Sequence, residues 1–362
     1  MEPFKDFLGF EAATKIALAT EAAASFFGSE FSPQVFLKNL EAELRPLELK
    51  QRMHLLTARL AEQLPKGPED FPVLVKALKK SDQDQQGLSG FLVWPLTHYV
   101  STYGLESPEE SLAALKEMTK VFTSEFAVRP FLREHQDLTL KIFESWVNDE
   151  SEHVRRLVSE GTRPYLPWGE KLRAFSKDPE ITWPLLEALS KDDSKYVQKS
   201  VANHLNDHSK LHAKWLVHRL KSWPNLWVQK QALRTLIKKG DLGALKLIGV
   251  SSVQPKMSFA LKKKKIRLGE TLVVQVDLQN VSGQQMKVLI DVEIGFLKKN
   301  GVHSPKVFKG KTLNLSAKQK TSVELKIPLK KVTTRVYYRG NQTVCLILNG
   351  KKTNPIEFHL SL

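Results

Sequence analysis

Cysteine is almost absent from this chain: Cys345 is the single one in 362 residues. One thiol excludes an intrachain disulfide and any zinc or iron–sulfur site built on a cysteine cluster, and the usage fits a reducing compartment, the cytosol. Long uncharged apolar runs are also missing, which argues against a helix that crosses a bilayer. The opening residues MEPFKDFLGF place Glu2 and Asp6 where an export signal needs basic side chains, so neither secretion nor membrane insertion is expected. The chain has no glycine-rich phosphate loop, no G-x-S-x-G elbow and no H-E-x-x-H pair. His204 and His208 have a spacing found in metal pairs, but without the flanking glutamate they are weak evidence for zinc. Neither a metal nor a cofactor is expected.

Acidic residues are scarce in the last third. Residues 251–362 hold 21 Lys and Arg against 6 Asp and Glu, a balance of +15, whereas residues 1–250 carry +1. A cation concentrated in one segment favours a polyanionic partner for that segment, with a lysine-rich solubilising surface as the alternative. Lys262, Lys263, Lys264, Lys265, Lys298, Lys299 and the Lys306 to Lys320 region are the candidate phosphate contacts.

The nearly neutral part reads as helical. Residues 8–22 and 47–64 are rich in Ala, Leu, Glu and Lys with apolar residues every three or four positions, Ser32-Pro33 is a helix start, and another helix is expected near 71–80. Residues 89–102 are apolar but interrupted by Pro95, and Ser107-Pro108 with an acidic first turn opens a helix over 107–119. From residue 148 an internal repeat appears. Asn148-Asp149 leads into Val154 and Val158, Asp192-Asp193 leads into Val197 and Val201 after 43 residues, and a weaker copy centres on Val228. Each is preceded by a further helix, such as 168–176 or 181–190. Two helices per unit of about 40 residues predicts HEAT-like stacking, with an irregular bundle as the competing reading. After Pro255 the pattern shortens to alternating runs, including TLVVQVDLQN, MKVLIDVEIGFL, TLNLS, TRVYYR and IEFHL, with LKKNG marking a loop. Seven or eight strands predict a small all-β sandwich of immunoglobulin type without its inter-sheet disulfide. The expected domains are residues 1–250 and 256–362.

Chemistry is densest between residues 121 and 170, where Glu125 and Glu160 lie among Arg129, Arg155, Arg156 and Arg163 and the aromatics Phe131, Trp146, Tyr165 and Trp168. Glu160 sits at a helix C-terminus, an unfavourable field for a carboxylate, so it is either exposed or, if buried, held by arginine. Trp168 beside a carboxylate suits a cationic aromatic ligand; the alternative is packing between helix pairs. Trp215, Trp223 and Trp227 read as packing residues. Asp207, close to a helix end in VANHLNDH, is a candidate to face the same surface as Glu160. Arg155 and Arg156, Lys195 and Lys199, and Lys230 and Arg234, assigned to the second halves of the repeat helices, form an expected phosphate-contacting stripe; a scattered solvated face is the alternative.

SEFAVRPFL, WVNDESEHVRRLVSEGTRPYLPW and SVANHLNDHSK together resemble the AlkC-type branch of the HEAT-like-repeat alkylpurine DNA glycosylases, across essentially the whole body. Some members of that branch carry an immunoglobulin-like C-terminal domain, which the tail resembles in turn. The resemblance implies excision of 3-methyladenine and 3-methylcytosine from double-stranded DNA by N-glycosidic bond cleavage. It places active-site carboxylates on Glu125 and Glu160, a tryptophan on Trp168 and a less secure carboxylate on Asp207. It also implies a cytoplasmic bacterial enzyme without a membrane partner, expected to act as a monomer. A catalytically silent helical-repeat scaffold is the competing class.

Overall fold

The computed structural model describes residues 4–81, 84, 86–251, 253–333 and 335–362. Helices dominate up to residue 250 and strands from 256 onward, a mainly α chain ending in a small all-β sandwich. The helices used below are α1 (Phe10–Phe26), α2 (Leu49–Ala61), α3 (Trp94–Tyr103), α4 (Pro108–Thr119), α5 (Gln136–Trp146), α6 (Glu152–Gly161), α7 (Lys195–Asp207) and α8 (Leu226–Ala232). The chain forms two compact units. One contains residues 1–212 and 223–232; the other contains 213–222 and 233–362.

Local chemistry explains several boundaries. The Ser32 hydroxyl accepts from the Val35 amide at 3.3 Å and Pro33 opens a short helix, Pro33–Leu37. Pro95 does not interrupt its segment as expected. It lies in the first turn of α3, where a missing amide costs no helical hydrogen bond, and residues Gly90–Val93 form a 3-10 turn before it. The predicted repeat is present in the first unit: α6 packs against α7 and α7 against α8. Val154, Val158, Val197, Val201 and Val228 are all buried. Asp149 and Asp192 shape the turns by accepting from the amides of Ser151 at 2.9 Å and Ser194 at 2.8 Å. The helix expected over 168–176 shrinks to Arg173–Lys177, because Trp168 has φ +67° and breaks any helical continuation.

Two buried histidines on the α7 side of this unit make its stability depend on pH. His204 is fully buried and its ring lies 3.0 Å from the Ser159 carbonyl; burial, then His208, holds it well below the usual imidazole range. Burial and then His212 push His208 down to about 4. The folded rings refuse a proton that the unfolded chain accepts at about pH 6.5, so stability is lost as pH falls from about 6.5 towards 4. Urea unfolding at pH 7 and pH 5 should differ by about 2 kcal/mol from His208 alone, and His208→Gln should remove that share of the difference while leaving the share due to His204.

The strands are β1 (Lys256–Leu261), β2 (Lys265–Arg267), β3 (Thr271–Gln279), β4 (Met286–Leu297), β5 (His303–Leu315), β6 (Lys320–Pro328), β7 (Gly340–Leu348), β8 (Lys351–Lys352) and β9 (Ile356–Ser361). One sheet runs β1-β3-β6 and the other β2-β9-β7-β4-β5, with β8 on β7 and the β2–β9 pair parallel. Alternation places Leu272, Val274, Val276 and Leu278 of β3 and Val288, Ile290, Val292 and Ile294 of β4 in one core. The TRVYYR run is not a strand in its described residues. Arg335 lies over the Phe296 ring, 4.1 Å from its centroid, and the Tyr337 hydroxyl donates to the Lys330 carbonyl, which holds the segment as a loop; Thr334 lies outside the described residues. Within this unit Gly240 and Gly350, at φ +75° and +80°, meet so closely that a Cβ on either would strike the other's backbone at 2.5 Å or less.

Candidate active site

Three carboxylates and two guanidiniums meet where α6 ends against α7. Ser124 fixes the preceding loop by donating to the Leu115 carbonyl at 2.9 Å, and Glu125 follows it. The Glu125 Oε2 atom takes an ion pair from Arg156 at 2.6 Å and a hydrogen bond from the Thr123 hydroxyl at 2.9 Å. One turn beyond Arg156 stands Glu160, 6% exposed, so the buried and arginine-held alternative is the one realised. Its Oε1 pairs with Arg163 at 2.7 Å and lies 3.7 Å from Arg156, while its Oε2 accepts from the Ser200 hydroxyl at 2.6 Å. Arg163 reaches on to Asp207 as a two-pronged fork, at 2.9 and 3.1 Å. Burial acts against the Arg163 charge, but Asp207 and Glu160 outweigh it and hold its pKa above the ordinary arginine value. Burial pushes the Asp207 carboxyl up from its usual range, against the pull of Arg163. Among the ion-paired groups, Glu125, Glu160 and Asp207 against Arg156 and Arg163 leave one net negative charge, with the buried Arg129 guanidinium nearby but turned to backbone carbonyls.

Beside the cluster opens a cavity of about 380 Å³ whose lining includes Trp94, Phe122, Glu125, Phe126, Glu160 and Trp168. Trp168 is 68% exposed, so it is not a residue packed between helix pairs. Its left-handed backbone is uncommon for a bulky side chain and costs of order 1–2 kcal/mol. Two cations hold the turn around it. The Lys50 ammonium donates to the Trp168 carbonyl at 2.8 Å, and Arg129 donates through Nε to the Glu170 carbonyl at 2.9 Å. Arg129 also bonds the carbonyls of Gly161 at 2.7 Å and Arg163 at 2.9 Å, which ties the end of α6 to the Trp168 turn. Gly161 is required there because a Cβ would lie 2.7 Å from Val128.

Sequence reasoning assigned several of these groups to other work. Arg129, expected at DNA phosphates, is 0% exposed with its guanidinium directed at backbone carbonyls; burial is the first cause lowering its pKa to about 10. Arg163 and Arg156 are engaged by carboxylates inside the site, and Arg155 pairs with Asp192 of the next repeat at 2.6 Å and bonds the Asp149 and Glu150 carbonyls. The expected stripe thus loses Arg155 and Arg156 to internal ion pairs. Nor do its members all occupy equivalent places: Lys195 is the first residue of α7, and the residue 43 places after Arg155 is Gln198. Lys195, Lys199 and Lys230 are exposed, Arg234 is half-buried, and Lys195 bonds the Gln198 side chain at 2.9 Å. Phe131 and Trp146 are core residues, and Trp227 is exposed at 42% with Lys195 above its ring rather than packed.

In the second unit Lys262 pairs with Glu324, Lys263 and Lys264 are exposed, and Lys265 is an exposed residue of β2. Lys298 and Lys299 are exposed in the β4–β5 hairpin, whose Gly301 has φ +79°. Sequence reasoning did not single out Thr123, Ser200, Phe91, Trp94, Phe122 or Phe126. Ser200 carried a readable signal, as a small polar residue one position before Val201 on the apolar side of a repeat helix.

Among the described residues, no group of three or more His, Cys, Asp or Glu has the arrangement of a metal site, and no helix is long and apolar enough to cross a membrane. Residues 256–362 match the family described as the C-terminal Ig-like domain of the uncharacterised protein YhaZ. Over 339 residues the chain is 39% identical to the uncharacterised protein YhaZ of Bacillus subtilis (strain 168), covering 91% of this chain and 93% of that one. A solved structure of the Pseudomonas fluorescens alkylpurine DNA glycosylase AlkC, bound to DNA containing an abasic site analog, matches 100% of both chains at 34% identity with a TM-score of 0.88. The match runs along the whole length, helical body and Ig-like tail alike, and the chain belongs to the YhaZ and AlkC family.

Proposed function

We propose that this protein is a DNA-repair glycosylase that releases cationic N3-methylated bases, 3-methyladenine and 3-methylcytosine, from double-stranded DNA. The observation that carries the reading is the aromatic-lined cavity with a net negative charge on its floor, in a chain that matches AlkC over its full length. Methylation at N3 leaves the base positively charged, so it departs as a neutral molecule and needs little help from a general acid. The barrier lies in the positive charge that grows on the deoxyribose as the bond to C1′ breaks. Preorganised carboxylates in a site shielded from water lower that barrier because they need no reorientation during reaction. Water then adds to C1′, its proton passes to a carboxylate or to solvent, and the products are the free base and an abasic sugar.

The two glutamates have different tasks in this account. Both oxygens of Glu160 are already held, by Arg163 and Ser200, so its role is a fixed negative field under the sugar. Glu125 is held through Oε2, and its other oxygen is the one proposed to orient the attacking water. Trp168 packs against the sugar or backbone. Residues 1–250 carry this chemistry, while residues 256–362, with Lys298 and Lys299 at an exposed hairpin, hold DNA through phosphate contacts. A cytoplasmic location and action as a monomer belong to the same reading.

Duplexes bearing single defined N3- or N7-methylated bases test it by release of free base. Glu125→Gln is expected to slow release by roughly 100-fold with DNA binding retained. Duplex binding without base release would instead favour the scaffold reading.

A further inference from the structure

A second cavity, also of about 380 Å³, adjoins the first. Trp94, Phe126 and Trp168 line both, so the two cavities share these aromatic rings. The far cavity is walled by Lys50 and His54 of α2 and His98 of α3. The two imidazoles meet edge to face, with His54 Nδ1 2.9 Å from His98 Nε2 and ring centroids 4.6 Å apart. Two neutral rings carry two N–H groups and one of them fills that contact. Whichever tautomers are present, the pair keeps one bare nitrogen able to take a proton. Among the described residues Lys50 bonds the Trp168 carbonyl and pairs with no carboxylate.

The carboxylate cavity cannot serve the phosphates of a nucleotide that it holds. Arg156 and Arg163 are committed to Glu125, Glu160 and Asp207, and the surplus there is negative. A deoxyribose placed over those carboxylates carries a phosphodiester on each side, and each needs cations outside the cluster. We propose that Lys50, His54 and His98 form a phosphodiester-binding subsite on the other side of Trp168, and that the histidine pair takes up a proton when DNA occupies it. This rests on the glycosylase reading only in assuming that the carboxylate cavity receives the sugar.

The charge balance favours such an arrangement. In the free protein burial, then the neighbouring His54, pushes His98 down to about 4, so the His98 ring is neutral near pH 7. A phosphodiester anion beside it opposes that effect. The other titratable or charged groups lining this cavity are Lys50 and Glu170, and Arg133 pairs with the Glu170 carboxylate at 2.6 Å. Proton uptake on binding makes affinity rise as pH falls. The bond from Lys50 to the Trp168 carbonyl also couples an occupied phosphate site to the indole at the rim of the carboxylate cavity.

The test uses the full chain and a duplex with an uncleavable abasic-site analogue, with Kd measured between pH 6 and 8 and across salt. The parental protein should bind about 3- to 10-fold more tightly at pH 6 than at pH 8. A His54→Asn, His98→Asn double variant should lose that dependence. Lys50→Gln should reduce the slope of log K against log salt by about 0.9, the release of one counterion. A lysine that merely supports the Trp168 turn would leave the slope unchanged. Base release by the same parental preparation from a methylated duplex is followed in parallel. No release would overturn the glycosylase reading whatever the Kd data show. Release together with a parental pH dependence that survives in the histidine double variant, or is absent altogether, or with an unaltered Lys50→Gln slope, would overturn the subsite.

Discussion

Glu160→Gln is expected to release 3-methyladenine roughly 100- to 1000-fold more slowly than the parental protein, the range found when one preorganised electrostatic stabiliser is removed from a transition state. The substitution keeps the shape of the side chain. An amide oxygen can still accept from Arg163 or Ser200, the bonds that now fix Glu160 at 2.7 and 2.6 Å. What disappears is the charge: the cluster changes from one net negative charge to neutral, as the positive sugar develops. The loss should therefore fall on the single-turnover rate, with affinity for an abasic duplex changed by less than about 3-fold, because only an interaction made chiefly in the transition state lowers the rate in this way. Glu125→Gln should be milder, since the role proposed for Glu125 is to orient a water.

Arg129→Met should be the most damaging change that touches no substrate. The parental guanidinium supplies hydrogen bonds to the carbonyls of Gly161, Arg163 and Glu170 from a position that is 0% exposed. Methionine fills much of the volume but leaves those carbonyls short of donors, at a cost of order 1–3 kcal/mol for each one left unsatisfied. A total of about 3–5 kcal/mol, or a fall in Tm of about 10 °C or more, is expected in thermal unfolding. Arg129→Lys should recover little of it, because one ammonium cannot reproduce a planar fork aimed at separate carbonyls. Because these bonds also set the Trp168 turn against the end of α6, residual activity measured well below the new Tm should remain reduced.

The contrast between these two residues explains how much of the molecule could be read from its sequence. The 43-residue spacing of Val154 with Val197 and of Val158 with Val201 is a local, periodic signal, and the helices pack as it implies. Alternation made the core strands legible in the same way, and Ser32-Pro33 announced its cap. Glu160 could be noticed as a carboxylate in an unfavourable helix position close to arginines. Arg129 could not be separated from Arg155, Arg156 and Arg163 by any local rule, since its role depends on carbonyls at residues 161, 163 and 170. The same holds for the aromatic lining, where Phe91, Trp94, Phe122 and Phe126 come from two separated stretches. The helix expected over residues 168–176 failed at a residue whose backbone is left-handed because Lys50 and Arg129 hold the turn from distant positions. β5 extends well beyond the TLNLS run that suggested it, because its pairing with β4, rather than its own hydrophobicity, carries Lys306, Lys309 and Lys311 along the sheet edge.

The placement of charge suggests why two positively charged groups inside the site are compatible with a cationic substrate. Arg156 and Arg163 allow three carboxylates to be packed together without forcing protons onto them, since like charges at close range otherwise raise each other's pKa. On the proposed reading, the surplus after pairing is what a cationic base and a developing sugar cation meet. A scaffold that only bound DNA would have no need for this arrangement beneath an aromatic cavity, because duplex phosphates are repelled by it.

The most direct measurement is single-turnover release of free 3-methyladenine from a defined duplex by the parental protein and by Glu160→Gln, with binding of both to an abasic duplex followed alongside. Release by the parental protein, slowed roughly 100-fold or more in the variant at nearly unchanged affinity, is the expected result. Equal release rates for the two folded proteins, or DNA binding by the parental protein with no base released, would contradict the account.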